Sequence, residues 1–123
     1  MRTVLIVEDS ETCAETLQIA LESLPDVKTI VLNGAAAALE ALQREDASVS
    51  ALVTDLHMPN NDGFELIRRL RAEPRYERLP VLMISGDSDP RLPQRALASG
   101  ADAFFSKPYS PAAVRRKLEQ LLC

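Results

Sequence analysis

The stretch Ala51-Leu-Val-Thr-Asp-Leu-His-Met-Pro-Asn-Asn-Asp-Gly-Phe-Glu-Leu-Ile-Arg-Arg-Leu-Arg71 decides the fold of this chain. It begins with an apolar run, residues 51–54, which ends abruptly in Asp55, and an apolar pattern of helical period starts at Phe64. The residues between them include proline and glycine, which interrupt regular backbone. This order predicts a buried strand, a loop and a helix. Asp55 would then lie at the carboxyl end of a strand, where open α/β folds bind their ligands.

Length and composition limit what the chain can be. Its 123 residues leave room for one domain of ordinary size. No apolar run approaches the roughly 20 residues that span a bilayer, so the sequence excludes membrane insertion. The apolar segment that follows Met1-Arg2 is too short for a signal peptide, and we expect a cytoplasmic protein. The net charge of -4, with basic residues interleaved among acids, argues against a nucleic-acid partner.

Two features have simple structural interpretations. Cys13 and Cys123 fall in separate predicted helices without metal-ligand spacing, which predicts free thiols. The basic clusters Arg68-Arg69-Arg71 and Arg115-Arg116-Lys117 are most simply the solvent-facing sides of their helices, and docking of a partner on the second cluster is the less favoured alternative.

Apolar runs and turn residues divide the whole chain into alternating strands and helices. The predicted strands are residues 3–7, 27–32, 51–54, 81–84 and 101–106. The predicted helices are residues 11–24, 34–45, 64–71, 90–99 with Gly100 as a left-handed cap, and 111–122 with Ser110 as N-cap. Pro93 cannot donate a backbone N–H, so the fourth helix should begin late. This alternation predicts a doubly wound parallel sheet between two layers of helices.

Reactive side chains follow four of the five strands, and strand ends of a parallel sheet converge on one rim. They are Glu8, Asp9, Asp55, Ser85 and Lys107. Carboxylates about 4 Å apart repel by roughly 4 kcal/mol at an effective dielectric near 20, so the acids must hold a proton or recruit a cation. Carboxylates without a histidine or thiolate pattern favour Mg²⁺. Together the side chains suit phosphoryl transfer.

Residues spread along the whole chain carry a resemblance to a known family. The matching residues are Glu8-Asp9, Asp55 followed by Met58-Pro59 and Asp62-Gly63, Ser85-Gly86, and Lys107-Pro108. In this order they resemble the response-regulator receiver domains of bacterial two-component signalling, in particular the stand-alone, chemotaxis-regulator-like kind. The resemblance implies a flavodoxin-like sheet with strand order 2-1-3-4-5. It also implies that residues 1–123 are one receiver domain without an output domain.

The resemblance also implies roles for the rim residues. Asp55 would accept a phosphoryl group from a phosphohistidine of a sensor kinase or a phosphotransfer protein, with Lys107 and Ser85 assisting. Mg²⁺ would be held by Asp9, Asp55 and the backbone carbonyl of His57, and by Glu8 through water. The protein would catalyse only its own phosphorylation and dephosphorylation, and the peptide between Lys107 and Pro108 would be cis.

Signal output follows from the same resemblance. Ser85 and Phe104 would move together on phosphorylation and reshape a partner-binding face made by the fourth helix, fifth strand and fifth helix.

His57 and Asp87, each two residues beyond a rim residue, should flank the path of the hydrolytic water and set the lifetime of the phosphate. The protein would be a monomer or a weak homodimer.

Three other functions are alternatives to this one. A phosphatase would use Asp9 as nucleophile, but Asp9-Ser10-Glu11 has no second Asp at the required spacing and the chain has no room for a cap domain. A flavin-binding module would need a phosphate cradle after the first strand, which is absent from the sequence. A phosphorylation-independent interaction module would not need the complete rim. Asp9 or Ser10 also has a purely structural alternative, as the cap of the first helix.

Overall fold

The computed structural model describes residues 2–44, 48–58 and 61–122, without the side chains of Met58 and Asn61. The strands are β1 (Arg2–Val7), β2 (Val27–Leu32), β3 (Ala51–Asp55), β4 (His57–Met58), β5 (Asn61–Asp62), β6 (Val81–Ser85) and β7 (Ala103–Ser106). The helices are α1 (Glu11–Glu22), α2 (Ala35–Gln43), α3 (Gly63–Ala72), α4 (Leu92–Ser99) and α5 (Pro111–Leu122), with a 3-10 turn at Pro74–Tyr76.

Five parallel strands form the central sheet, in the order β2-β1-β3-β6-β7. This confirms the doubly wound, flavodoxin-like topology. The middle strands β3 and β6 are buried along their whole length, because helices cover both faces. One core cluster includes residues of α1 and α5, among them Leu17 and Val114, and the other includes residues of α2, α3 and α4, among them Leu42 and Leu66. The three-layer arrangement brings the strand ends to one rim.

Side-chain caps fix where several helices begin at this rim. The Cys13 N–H donates to Ser10 Oγ at 3.4 Å, and the Ala113 N–H donates to Ser110 Oγ at 3.2 Å. Ser10 therefore caps α1, and Asp9 is not needed for that role. Asp62 accepts a hydrogen bond from the Glu65 N–H at 2.8 Å, so α3 begins at Gly63, one residue earlier than the apolar pattern indicated.

The fourth helix and fifth parallel strand are shorter than the sequence indicated. The helix begins at Leu92, with Pro93 in its first turn, which confirms the late start. It ends at Gly100, whose φ of 112° is left-handed. The cap bonds the Ala101 N–H to Ala96, and the Asp102 N–H donates to Val81, so β7 begins only at Ala103.

Smaller differences concern the helix faces and ends. Several leucines within the predicted helix ranges are only half-buried, among them Leu24, Leu39, Leu121 and Leu122. Cys13 is a free cysteine, whereas Cys123 and the expected end of α2 near residue 45 lie outside the described residues. Among the helices that the structure describes, none is long and apolar enough to cross a membrane.

Arg71 does not face solvent, which corrects one expectation from the basic clusters. Its side chain is only 19% exposed. It donates to the carbonyl oxygens of Gly100 (Nη2, 2.7 Å), Tyr76 (Nη1, 2.8 Å) and Glu77 (Nη1, 3.2 Å). The last turn of α3 lies beside the end of α4, so the long side chain reaches carbonyl oxygens at the end of α4 and in the segment after α3.

The other members of the two basic clusters are mostly exposed. Arg68 and Arg69 are exposed and pair with Glu65 on the same helix. Arg115 and Arg116 are also exposed, whereas Lys117 is half-buried.

Candidate functional site

Three carboxylates meet where β1 and β3 end. Glu8 follows β1 and is buried, Asp9 is exposed, and Asp55 is the last residue of β3 and is 8% exposed. Each offers a carboxylate oxygen, and these atoms all lie within 4.8 Å of one another. This is the group that the sequence predicted. Oxygen ligands at such spacing suit a hard divalent cation.

Lys107 supplies positive charge to the group. Its Nζ donates to Glu8 Oε1 at 2.9 Å and to Asp55 Oδ2 at 3.0 Å. Burial alone disfavours a charged amine, but the two carboxylates outweigh this effect and raise the pKa of Lys107 above its ordinary value. One ammonium cannot neutralise three carboxylates, so the rim keeps an excess of negative charge that would favour a bound cation. Glu8 is held in turn by the Ser10 N–H, which donates to Oε2 at 3.1 Å.

Gly63 allows the closest approach in the site. A Cβ atom at this position would lie 2.9 Å from the backbone oxygen of Asp55 and 3.1 Å from Leu56 Cα and Met83 Cε. The Gly63 N–H also donates to the Leu56 carbonyl at 2.7 Å. The start of α3 therefore packs directly against the backbone that carries Asp55, which fixes the position of this carboxylate.

The loops after β6 and β7 complete the rim. Ser85 is fully buried, and its Oγ accepts a hydrogen bond from the Asp87 N–H at 3.0 Å. The Lys107 N–H donates to the Ser85 carbonyl at 2.8 Å, which joins the residue after β7 to the end of the adjacent strand β6. The peptide between Lys107 and Pro108 is cis, as the resemblance implied.

His57 and Asp87 contact each other directly, which the sequence did not predict. His57 Nε2 lies 3.1 Å from Asp87 Oδ2, and the two side chains are 61% and 41% exposed. Hydrogen bonds from the Asp89 backbone and from His57 lower the pKa of Asp87. The carboxylate is therefore an acceptor, and His57 must carry a proton on Nε2 to donate to it. The pair links the loop after β3 to the loop after β6.

Phe104 and Phe105 lie on β7 and face opposite sides of the sheet. Phe104 packs against the cluster that includes α3 and α4, and Phe105 packs against the cluster that includes α1 and α5. Both are half-buried, and they point in opposite directions because successive strand residues alternate between the two faces of a sheet.

The family model of the response regulator receiver domain matches residues 4–119. The chain belongs to this family. A chemotaxis protein CheY homolog of Campylobacter jejuni is 29% identical to this receiver domain over 97% of the chain and 91% of the relative. The fold matches a putative response regulator of Chloroflexus aurantiacus with a TM-score of 0.88 at 27% identity, covering 98% of this chain and 97% of that chain. It also matches the chemotaxis response regulator CheY4 of Vibrio cholerae with a TM-score of 0.86 at 26% identity, covering 98% of both chains.

Two residues of this receiver domain bear on the site in ways that the sequence did not predict. The sequence indicated Asp62-Gly63 as a break in the backbone before a helix, whereas the structure shows that the glycine also allows close packing against Asp55. Tyr109 comes two residues after Lys107 and was not singled out, and its hydroxyl oxygen is buried without a hydrogen-bond partner in the described part of the chain. No sequence pattern marks that burial.

Proposed function

We propose that this receiver domain works in a phosphorelay, in which Asp55 takes a phosphoryl group from a phosphohistidine. The observation that supports this best is the double contact of Lys107 with Glu8 and Asp55. It places a cation against a buried carboxylate that is otherwise surrounded by acids. Such a cation is needed where a phosphoryl group brings further negative charge.

In the proposed reaction an Asp55 carboxylate oxygen attacks phosphorus. A phosphorus–oxygen bond forms, the phosphorus–nitrogen bond to the donor imidazole breaks, and its electron pair stays on that nitrogen. Lys107 neutralises a phosphoryl oxygen. The Ser85 oxygen accepts from the Asp87 N–H, which leaves the Ser85 O–H able to donate a hydrogen bond to a second phosphoryl oxygen. Gly63 and the β3 ladder hold the acceptor in place.

We propose Mg²⁺ as the cofactor, with Asp9, Asp55 and the His57 carbonyl as ligands and Glu8 acting through water. Oxygen donors and an excess of negative charge fit this ion. When bound, Mg²⁺ supplies charge neutralisation at the phosphoryl oxygens.

The phosphatase alternative, with Asp9 as nucleophile, fits the site less well. Asp9 is exposed, and among described residues the Lys107 ammonium contacts Glu8 and Asp55. A nucleophile that receives a phosphoryl group benefits from a fixed cation beside it, and Asp55 has one. Apart from its own phosphorylation and dephosphorylation, we propose no catalytic activity.

The proposed partners are a sensor histidine kinase or a histidine phosphotransfer protein, and a downstream protein that binds α4, β7 and α5. Phe104 lies on β7 and packs against the cluster that includes residues of α4, so a movement of Ser85 and Phe104 would alter this face. We place the protein in the cytoplasm as a monomer or weak homodimer that binds neither membrane nor nucleic acid.

The test is to map the phosphorylated residue. The protein is incubated with acetyl phosphate and Mg²⁺, the acyl phosphate is trapped with borohydride, and the modified residue is located by mass spectrometry. We expect modification at Asp55, and Asp55→Asn should abolish it. The matched control is Asp89→Asn, which neutralises a neighbouring acid that pairs with Arg91 outside the carboxylate group.

Each other result has a defined meaning. Trapping at Asp9 would favour the phosphatase. If neither residue is modified while the protein remains folded by circular dichroism, the proposed phosphoryl transfer to Asp55 is wrong.

A further inference from the structure

Tyr109 has an environment that packing alone does not explain. Its ring packs at the edge of the core cluster that contains Val114 and Leu118. Its hydroxyl oxygen is buried and makes no hydrogen bond with any described residue. Buried hydroxyls are nearly always bonded, since an unpaired one costs free energy. The described conformation therefore carries a penalty at this residue.

The second tyrosine shows the ordinary arrangement. Tyr76 is a buried residue, whereas Tyr109 is half-buried, and the Tyr76 hydroxyl donates to the Leu42 carbonyl. Burial raises the pKa of Tyr109 to about 12, so this phenol keeps its proton and remains a donor at neutral pH. A conformation in which the Tyr109 hydroxyl finds an acceptor would be stabilised by that new hydrogen bond.

A groove lies next to the Tyr109 ring. Tyr109 itself lines this groove, together with Thr12, Cys13 and Thr16 of α1 and with Lys107 and Pro108. A turn of the ring further into the groove would give the hydroxyl water or a threonine hydroxyl as partner. Lys107 begins the same short segment and holds Glu8 and Asp55 through its Nζ. A change at Asp55 therefore acts on a residue only two positions from Tyr109.

We propose that Tyr109 is a side chain whose conformation depends on phosphorylation. Its hydroxyl is buried and unpaired among the described residues while Lys107 bridges Glu8 and Asp55. It turns into the groove beside α1 when a phosphoryl group on Asp55 draws the Lys107 ammonium away from Glu8. The inference rests on the proposed phosphorylation of Asp55. Only the unphosphorylated form bears the penalty of the unpaired hydroxyl, so this difference favours the phosphorylated form. The turned phenol adds a hydrogen-bond donor to the groove.

The chain has two tyrosines, so fluorine NMR can follow both in the intact protein. Protein labelled with 3-fluorotyrosine is titrated with Mg²⁺ and beryllofluoride, a stable phosphoryl mimic. The bound mimic gives its own fluorine resonance, which reports occupancy of the site in the same sample. We expect the Tyr109 resonance to shift and to gain a solvent isotope effect, while the Tyr76 resonance stays in place. Tyr109→Phe and Tyr76→Phe assign the two signals.

The outcomes separate this inference from the proposed function. A bound-mimic resonance with an unmoved Tyr109 signal would overturn the inference and leave phosphorylation of Asp55 standing. If no mimic binds, both are overturned.

The two assignment variants give a second measurement, which needs no mimic. Tyr109→Phe should raise the thermal midpoint of the metal-free protein, because it removes an unpaired hydroxyl, and Tyr76→Phe should lower it. A fall in both variants would show that the Tyr109 hydroxyl is already satisfied, and would overturn the inference.

Discussion

At the residue scale, the contact between His57 and Asp87 changes how their role is understood. The sequence placed each beside the path of the hydrolytic water as a separate side chain. In the structure they form one bridge between the loops after β3 and β6, the strands that end in Asp55 and Ser85. A bridge between these loops restricts the approach to the Asp55 carboxylate, the proposed phosphoryl acceptor, so the two residues should act as a unit.

We therefore expect His57→Ala and Asp87→Ala each to speed the loss of phosphate from Asp55 several-fold, because either change opens the bridge. The double variant should be no faster than the faster single variant, since contacting residues are coupled. Decay of the labelled protein after removal of the phosphodonor measures this. Arg91→Ala is the control, because it opens a different exposed ion pair, with Asp89. Additive effects would show that the two side chains act separately.

At the scale of elements, Arg71 ties α3 to the end of α4. The side chain donates two hydrogen bonds to the Gly100 carbonyl, from Nε at 3.2 Å and from Nη2 at 2.7 Å. Its Nη2 also lies 3.4 Å from Asp102 Oδ2, and this carboxylate oxygen accepts from the Val81 N–H at 2.8 Å. One guanidinium therefore connects α3, the cap of α4 and the start of β6.

Arg71→Lys should lower the free energy of unfolding by about 1–3 kcal/mol, because a compact ammonium cannot span the Gly100 and Tyr76 carbonyls together as the wide guanidinium does. Urea denaturation at neutral pH measures the change. Arg69→Lys, on the same helix but exposed, should stay within about 0.5 kcal/mol of the original protein. Equal stability of the two variants would mean that solvent satisfies the carbonyls of Gly100 and Tyr76.

At the scale of the whole molecule, the sheet has two outer strands, β2 and β7. Glu22 of α1 covers part of one of them. Its Oε2 accepts hydrogen bonds from the Thr29 N–H at 3.0 Å and from the Thr29 hydroxyl at 2.9 Å. A strand amide that is bonded in this way is not available to another chain.

These hydrogen bonds, first from the Thr29 backbone and then from its hydroxyl, lower the pKa of Glu22. A lowered carboxyl pKa stabilises the fold at pH values above the ordinary value of 4.5, and this contribution is lost as the pH falls through the lower, folded value. The thermal midpoint should therefore fall more steeply between about pH 5 and pH 3 in the original protein than in Glu22→Gln. Glu15→Gln, exposed on the same helix, is the control. Identical pH profiles in all three proteins would show that Glu22 does not contribute to the pH dependence of stability.

Residue patterns predicted the topology and the rim because both depend on periodicity and chain order. Buried strands appear in the sequence as unbroken apolar runs, and the carboxyl ends of parallel strands lie at the same edge of a sheet. Asp55 and Lys107 could therefore be placed close together from the sequence alone. The Arg71 contacts could not be predicted, because the Gly100 carbonyl lies 29 residues away and helical period indicates only which face a residue occupies. The His57 and Asp87 bridge likewise depends on rotamers in two loops.

The packing of Gly63 against Asp55 limits which substitutions this position can accept during evolution. The space for a Cβ is closed by backbone atoms of Asp55 and Leu56, which cannot move aside as a flexible side chain would. Every other amino acid carries that carbon, so any single-base change that replaces this glycine forces β3 and α3 apart. The codon for Gly63 is therefore constrained by a residue eight positions earlier, even though glycine has no side chain with which to take part in the chemistry.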